Sequence, residues 1–338
     1  MGHHMQGNFT NEIMPSGMIE IGLNAAIASM STDQPLILIV RPEDTGGDNW
    51  DALPFGPFAP KNHRTLEIGL RAWVNEQSGI NLGYVEQLYT FGDRGRHTQS
   101  DDSGPHVVSI GYLALTRWKE EELKHGGAWQ NWYKYLPWED WRDGRPDIID
   151  QAILPKLIEW AGRPQSAESR GTPLSALERI QICFGDGTIG WDEEKVLERY
   201  ELLYESGLLA ESKRDNREST NPAVDLPDLG RPMHFDHRRI VATAIGRLRA
   251  KIKYRPVIFE LMAEKFTLYE MQKTVEGIMG AHLHKQNFRR LVENAGLVEP
   301  TGEVRTHTGG RPAKLFRFRR ETILERPAPG VRISPTSI

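Results

Sequence analysis

The stretch Leu283–Arg320 limits what this chain can be more than any other. Between Leu283 and Gly296, the residues Phe288, Leu291, Val292 and Ala295 recur at helical spacing on one face. Gly296 stands where a left-handed residue would end that helix. The opposite face carries Gln286, Arg289, Arg290 and Glu293. Leu297–Pro300 and Ala313–Arg319 then read as two short strands around the loop Thr301–Pro312, a basic hairpin. Upstream, Thr267 and Glu270 have capping-box spacing, Leu268, Met271, Val275 and Ile278 form a buried stripe, and Gly280 closes the helix. Helix, turn, basic helix and basic hairpin in that order spell a winged helix-turn-helix. Lys285, Gln286, Asn287, Arg289 and Arg290 are the side-chain types that bond base edges and phosphates in a major groove. Arg305, Thr308, Arg311 and Lys314 of the hairpin would hold the backbone or the minor groove. The competing reading is a helical domain with a solvated basic face. Agreement of charge, element order and tip composition favours DNA.

Charge is distributed to match. Residues 231–338 carry 21 Lys+Arg against 10 Asp+Glu, a net of +11, while residues 1–230 carry 21 against 36, a net of −15. The overall −4 therefore hides a polarised molecule whose basic end can release counterions from a duplex.

The 338 residues suffice for two domains and a connector. Cys183 is the single cysteine, which excludes an internal disulfide and fits a reducing cytoplasm. No apolar run reaches membrane-spanning length, and no signal-peptide pattern opens the chain. Met1–Met5, with its two histidines, reads as an added remnant and not as a metal site. Residues 17–160 have an α/β pattern. Strand-like runs at Met18–Met30 and Leu36–Val40 precede a helix over Thr65–Ser78 ended by Gly79, then strands over Tyr84–Phe91 and Val107–Leu115. The loop Gly92–His97 is basic and glycine-containing, a composition that can border a phosphate but is more often simply exposed.

Residues 118–160 hold six tryptophans, expected to be buried against a neighbouring domain. A helical insertion and linker is expected over 161–232. One helix would begin at Thr172–Pro173 with proline in its first position, and another at Trp191–Asp192. Ser212–Arg231 reads as an exposed linker. Phe235–Tyr254 reads as one long helix joining the two halves, a lever or dimer element, with Ile240, Ala244, Ile245 and Leu248 inward and Arg247, Arg249, Lys251 and Lys253 outward. It opens the third unit, 233–326, and residues 327–338 read as a flexible tail. His234, Asp236 and His237 cluster at the start of that helix, where Asp is a natural cap and not a metal ligand.

The order strand, Trp50…Leu53-Pro54, helix ending Gly79-Ile80, then Glu86–Asp93 resembles the Nudix fold. Joined to Lys285–Arg290 and Gly310–Leu315, it resembles the Nudix-related transcriptional regulators of the NrtR type and, given the length, the NadQ type that controls NAD synthesis genes. The resemblance covers residues 18–118 and 233–320. It implies an N-terminal Nudix-like α/β/α sandwich, a helical connector and a C-terminal winged helix-turn-helix. In related sequences an Asp often caps the recognition helix, and here His284 stands in its place.

Nudix hydrolases carry G-x5-E-x7-R-E-U-x-E-E-x-G-U, whose glutamates bind the divalent metals that activate water and clamp a diphosphate. Anchored on Gly79-Ile80, the Arg-Glu pair falls on Ala72 and Trp73, and the paired glutamates on Glu76 and Gln77. One carboxylate remains of the three that matter. Glu76 reads equally as a vestigial ligand or a surface residue, and Glu67 and Arg71 have ion-pair spacing.

The resemblance therefore implies a repressor of NAD-metabolism genes, homodimeric on a palindromic operator in the bacterial cytoplasm. It requires no cofactor and assigns no catalytic or metal-binding residue. A nucleotide effector (ADP-ribose, NAD or ATP) would bind near Asn24, Arg41, Phe55, Glu76, Arg94, Arg96 and Tyr112, chosen by position on adjacent elements. Residual hydrolase activity stays open. The alternative is a Mg²⁺-dependent pyrophosphohydrolase acting on ADP-ribose or dinucleotides with an attached regulatory domain. A third reading makes the C-terminal unit a protein-interaction module.

Overall fold

The computed structural model describes residues 19–41, 50–93, 106–119, 123, 126–163, 174–185, 188–215, 228–306, 312–319 and 321. Strands β1 (Ile19–Ser31), β2 (Gln34–Ile39), β3 (Phe55–Pro57), β4 (Tyr84–Phe91), β5 (His106–Leu115) and β6 (Ala128–Asn131) form one mixed sheet ordered β4-β5-β1-β2-β6. β1 runs parallel to β5, and its other edge takes β3 near Leu23 and β2 near Ala28. Strand alternation sorts the residues of β1. Leu23, Ala25 and Ile27 pack under helix α1 (Leu66–Ser78) with Leu70, Val74 and Tyr112. Ala26, Ala28 and Met30 face the opposite, larger core.

That larger core holds the connector. Helices α2 (Leu154–Ala161), α3 (Ala176–Phe184), α4 (Val196–Glu205) and α5 (Ala210–Arg214) pack in series, and α4 lies against α6 (His237–Ile252). The same apolar cluster continues through α7 (Leu268–Met279) to Phe288 and Val292 of α8 (Lys285–Ala295) and to Leu297 before the hairpin β7 (Val298–Arg305) and β8 (Ala313–Phe318). Trp132, Trp138, Trp141 and Trp160 are buried in it. No helix among the described residues is long and apolar enough to cross a membrane.

Several expectations change. Thr172 and Pro173 lie outside the described residues, and α3 begins at Ala176 with Ser175 and Glu178 as a reciprocal capping box. Helix α4 begins at Val196, because the Asp192 side chain and carbonyl hold Glu194 and Lys195 in a preceding turn. Ser212 is not part of an exposed linker: it lies within α5, is fully buried and donates to the Leu209 carbonyl. Leu229 is buried as well. Strand β7 continues to Arg305, its register shifted between Pro300 and Val304 where Gly302 is left-handed.

The largest change concerns α6. It is buried around most of its circumference, because it packs on the sheet, on α4 and on α7 at once. Arg249, expected outward, is fully buried and paired with Glu139, and Arg238 is buried against Glu211. Lys251 pairs with Glu86 and Lys253 with Glu193 and Glu194. Arg231 reaches Asp51, and Arg239 takes Asp93 and Glu201. Six of the 21 cations counted on the basic side are thus neutralised by carboxylates of the acidic side. The charge segregation seen along the chain closes on itself around α6. Positive surface is left to the elements beyond it.

Candidate functional site

The C-terminal unit begins with a cap. Thr267 Oγ1 accepts the Glu270 amide at 3.1 Å, and Glu270 Oε2 accepts the Thr267 amide at 2.7 Å. The backbone of Phe266 pairs both ways with Phe316, which adds a third strand segment to the β7–β8 hairpin. Phe259 stacks on Phe318 at 4.2 Å, so the hairpin is fixed against the helices from below.

Helix α8 docks through Phe288 and Val292 and exposes Lys285, Gln286, Asn287, Arg289 and Arg290. Among the described residues none of these five side chains makes an ion pair or hydrogen bond. Their donors and acceptors face water, in contrast to the paired cations of α6. His284 is the N-cap but gives no side-chain bond, so the missing Asp is not replaced in kind. The turn before it is held instead by Glu276, a residue the sequence reading passed over. Its carboxylate accepts the Leu283 amide at 3.0 Å, Gln272 Nε2 at 2.8 Å, Lys273 Nζ at 2.9 Å and His282 Nδ1 at 3.2 Å. Gln272 also donates to the Leu283 carbonyl at 2.8 Å. Burial alone would raise the Glu276 carboxyl. The Leu283 amide, followed by Lys273, Gln272 and His282, outweighs burial and holds it below the usual range. The signal for this was present: Gln272 and Glu276 are polar residues four apart inside a stripe of buried positions.

On the wing, Lys314 is exposed and makes no such contact among the described residues, whereas Arg305 is paired with Glu270. Arg305 therefore ties the wing to the start of α7, a role its position as a presumed backbone contact did not suggest. Thr308 and Arg311 lie outside the described residues.

The nucleotide candidates do not converge. Asn24 lies on the α6 side of the sheet, where His237 uses both ring nitrogens. Nδ1 accepts the Leu53 amide at 2.9 Å, which leaves the Nε2 proton to donate to Asn24 Oδ1 at 2.8 Å. Phe55 packs its ring against Phe235 and His237, at 5.0 and 5.3 Å. Arg41 is half-exposed and reaches Asp51, which also takes the Tyr135 hydroxyl at 2.7 Å. Tyr112 sits buried on the opposite face beneath α1, and burial, then the charge of Glu67, raises its phenol. Glu76 is exposed on α1. Asn24 and Tyr112 being on opposite faces, the set does not line one cup, since the position-based choice ignored strand alternation. Arg94 and Arg96 lie outside the described residues.

The glutamate positions of the Nudix box have been given other work. Trp73 lies over Gly56, where a Cβ would stand 2.3 Å from the indole, and donates Nε1–H to the Pro57 carbonyl at 2.9 Å. Gln77 accepts the Phe55 amide at 3.0 Å and donates to the Phe55 carbonyl at 2.7 Å. Both side chains latch α1 to β3, and neither offers an anionic ligand to Mg²⁺. The donor set does not fit the metals of the hydrolases. Among the described residues, no three His, Cys, Asp or Glu side chains are grouped as a metal site. Glu67 and Arg71 do pair, at 2.8 Å, and Arg71 also donates to the carbonyls of Leu82 and Gly83.

Comparison with known proteins agrees with both halves of this description. Residues 258–318 match the family model described as the NrtR DNA-binding winged helix domain. The ADPR responsive transcriptional repressor NtrR of Acinetobacter baylyi is 40% identical over 84 residues, which is 25% of this chain and 33% of that protein. The match thus spans a third of the curated relative. Among solved structures, Shewanella oneidensis NrtR complexed with a 27mer DNA superposes with a TM-score of 0.51 at 20% identity, covering 89% of this chain and 94% of that one. A MutT/nudix family protein from Enterococcus faecalis gives 0.50 at 17% identity, covering 91% and 89%. At these identities the structures speak for the fold, a Nudix-like domain followed by a winged helix.

Proposed function

We propose, for a chain whose two halves resemble those of NrtR-type, Nudix-related regulators, that it is a ligand-responsive DNA-binding repressor of NAD-metabolism genes. The observation that carries this reading is the uncommitted polar face of α8. Lys285, Gln286, Asn287, Arg289 and Arg290 project from a helix whose apolar side is anchored in the core. Such a face can enter a major groove as a unit, while Lys314 flanks it on the wing. The curated relative's description supports an ADP-ribose-type effector, with NAD and ATP as the chemical neighbours to be tested beside it. Two copies on an inverted repeat would present two such helices about one helical turn apart.

The Nudix-like half acts as a sensor without hydrolysis. Trp73 and Gln77 occupy the positions where carboxylates would be needed, and their hydrogen bonds to β3 leave one exposed Glu76 to oppose a diphosphate's charge. An effector binding one arrangement of the protein better than another would shift DNA affinity by that difference.

Gel-shift titration on a promoter fragment tests the proposal. Lys285→Ala and Arg290→Ala are each expected to weaken binding by about 1–3 kcal/mol if they read a base. Unchanged affinity in both would remove α8 from the interface. Adding ADP-ribose, NAD and ATP in turn identifies the effector. Mg²⁺-dependent release of phosphate-containing products from any of them would restore the hydrolase alternative.

A further inference from the structure

We infer that Arg249, Glu139 and Tyr133 form a clamp that fixes the direction of the recognition helix, so that the spacing of DNA half-sites is set by residues that touch no DNA. The inference rests on the DNA-binding reading above and on two copies binding one operator.

Helix α7 ends at Met279 with Gly280 left-handed, and the Gly280 amide returns to the Glu276 carbonyl. The remaining carbonyls of that end need donors, which water ordinarily supplies. Here they come from outside the winged helix. The Tyr133 hydroxyl donates to Gly277 O at 2.7 Å, Arg249 Nε to Ile278 O at 2.9 Å, and the Trp141 amide to Gly280 O at 2.6 Å. Arg249 also places a positive charge at the negative end of the helix dipole. Its own position is over-determined: it donates to Glu139 Oε2 at 2.6 Å, to the carbonyls of Glu193 and Glu139, both at 3.0 Å, and to the Tyr133 hydroxyl at 3.2 Å. Glu139 in turn takes Arg199 of α4, and all three ionised side chains are fully buried. On its far side, α7 approaches the β1–β2 turn so closely that a Cβ on Gly277 would stand 2.7 Å from the Asp33 carbonyl.

Beyond Gly280 only four residues precede α8, and Glu276 and Gln272 hold Leu283 among them. The path from sheet to recognition helix therefore runs through fixed contacts at each step. A winged helix needs none of these contacts to cap itself. What they add is a fixed angle between the reading head and the body, which in a dimer becomes a fixed distance between two heads.

The test uses the full chain and an operator selected by the wild-type protein from a random duplex pool. Tyr133→Phe removes one hydroxyl, and Arg249→Lys keeps the charge but loses the Nε bond to Ile278. Binding is measured on duplexes with the half-sites moved by up to two base pairs, and on a single half-site. The wild type is expected to prefer one spacing by about tenfold or more, within the range that one or two lost base contacts give. The variants are expected to flatten that preference several-fold and to bind the single half-site as the wild type does. Retained spacing preference in the variants overturns the inference, and so does a parallel loss of half-site binding, which would mean damage to the head itself. If Arg249→Lys does not fold, Tyr133→Phe decides. A wild-type protein that selects no duplex refutes the DNA-binding reading itself, an outcome distinct from the other two, and the inference falls with it.

Discussion

Gly280 and Gly296 end successive helices in the same backbone conformation, and replacing each by alanine separates conformational strain from crowding. Gly280 has φ 69° and ψ 21°, and Gly296 has φ 58° and ψ 27°. An alanine in that region costs about 1–2 kcal/mol, partly offset by about 0.4–1 kcal/mol from the stiffer unfolded chain. At Gly296 nothing lies within 4 Å of the new Cβ, so the net loss should stay near 1 kcal/mol or below. At Gly280 the Cβ would stand 2.3 Å from the Glu139 carbonyl oxygen and 2.9 Å from both the Arg249 guanidinium and the Tyr133 hydroxyl. Backbone and a fully buried ion pair cannot step aside freely, and overpacking of this kind adds about 1–3 kcal/mol. Urea unfolding followed by tryptophan fluorescence suits the comparison, because Trp132, Trp138 and Trp141 are buried beside this contact. Gly280→Ala should be the less stable by about 1–3 kcal/mol. Equal midpoints and slopes for the two variants would show that α7 does not end against the Glu139 cluster, and the geometry argued for the clamp would be wrong.

Restoring one carboxylate to the Nudix helix should not restore a hydrolase. Gln77→Glu replaces the donor that bonds the Phe55 carbonyl with an acceptor, and should destabilise the fold by about 1–3 kcal/mol. ADP-ribose with Mg²⁺ should remain intact, and AMP and ribose 5-phosphate appearing by chromatography would show that Trp73 leaves room for the metals. Glu276 predicts an acid limit. Its carboxyl is lowered in the folded protein from an ordinary value of 4.5, so its contribution is fully present above about pH 4.5 and is lost as the pH falls through the folded value. Urea midpoints of wild type and Glu276→Gln should therefore differ at pH 7 and converge in acid, and a gap independent of pH would contradict the role given to the charge.

Helical and strand periodicity located α1 and α8 within a few residues, because each has one buried and one exposed face, while β1 and β5, buried on both faces, were legible as continuous apolar runs bounded by polar turns. The same logic failed for α6. A helix enclosed around most of its circumference has no fully solvated face, and its cations looked exposed only because their partners lie far away in sequence. Glu139 is 110 residues from Arg249, and Glu211 is 27 from Arg238. Such pairs leave no local pattern. They persist because a buried guanidinium left without its carboxylate would cost about 3–5 kcal/mol. Asn24 and Tyr112 failed for a different reason. Both are on adjacent strands, but the register Ala25↔Tyr112 puts Tyr112 on the face opposite Asn24.

The Nudix helix shows how a sequence comparison can record a loss where the structure records a replacement. Counted against the hydrolase pattern, Trp73 and Gln77 are simply missing carboxylates. In place, each meets a requirement that the loss creates. Where carboxylates and bound cations would hold a helix against its neighbouring loop, their removal would leave polar backbone and empty volume between them. Trp73 fills the volume over Gly56, the one residue type that admits an indole there, and its N–H takes the Pro57 carbonyl. Gln77, one atom group different from the glutamate of the pattern, can both accept and donate. It therefore satisfies the amide and the carbonyl of Phe55 together, which a carboxylate could not. Phe55 in turn packs on Phe235 and on His237, at the start of α6. Through Gln77 and Phe55, α1 is thereby fastened by way of β3 to the start of α6.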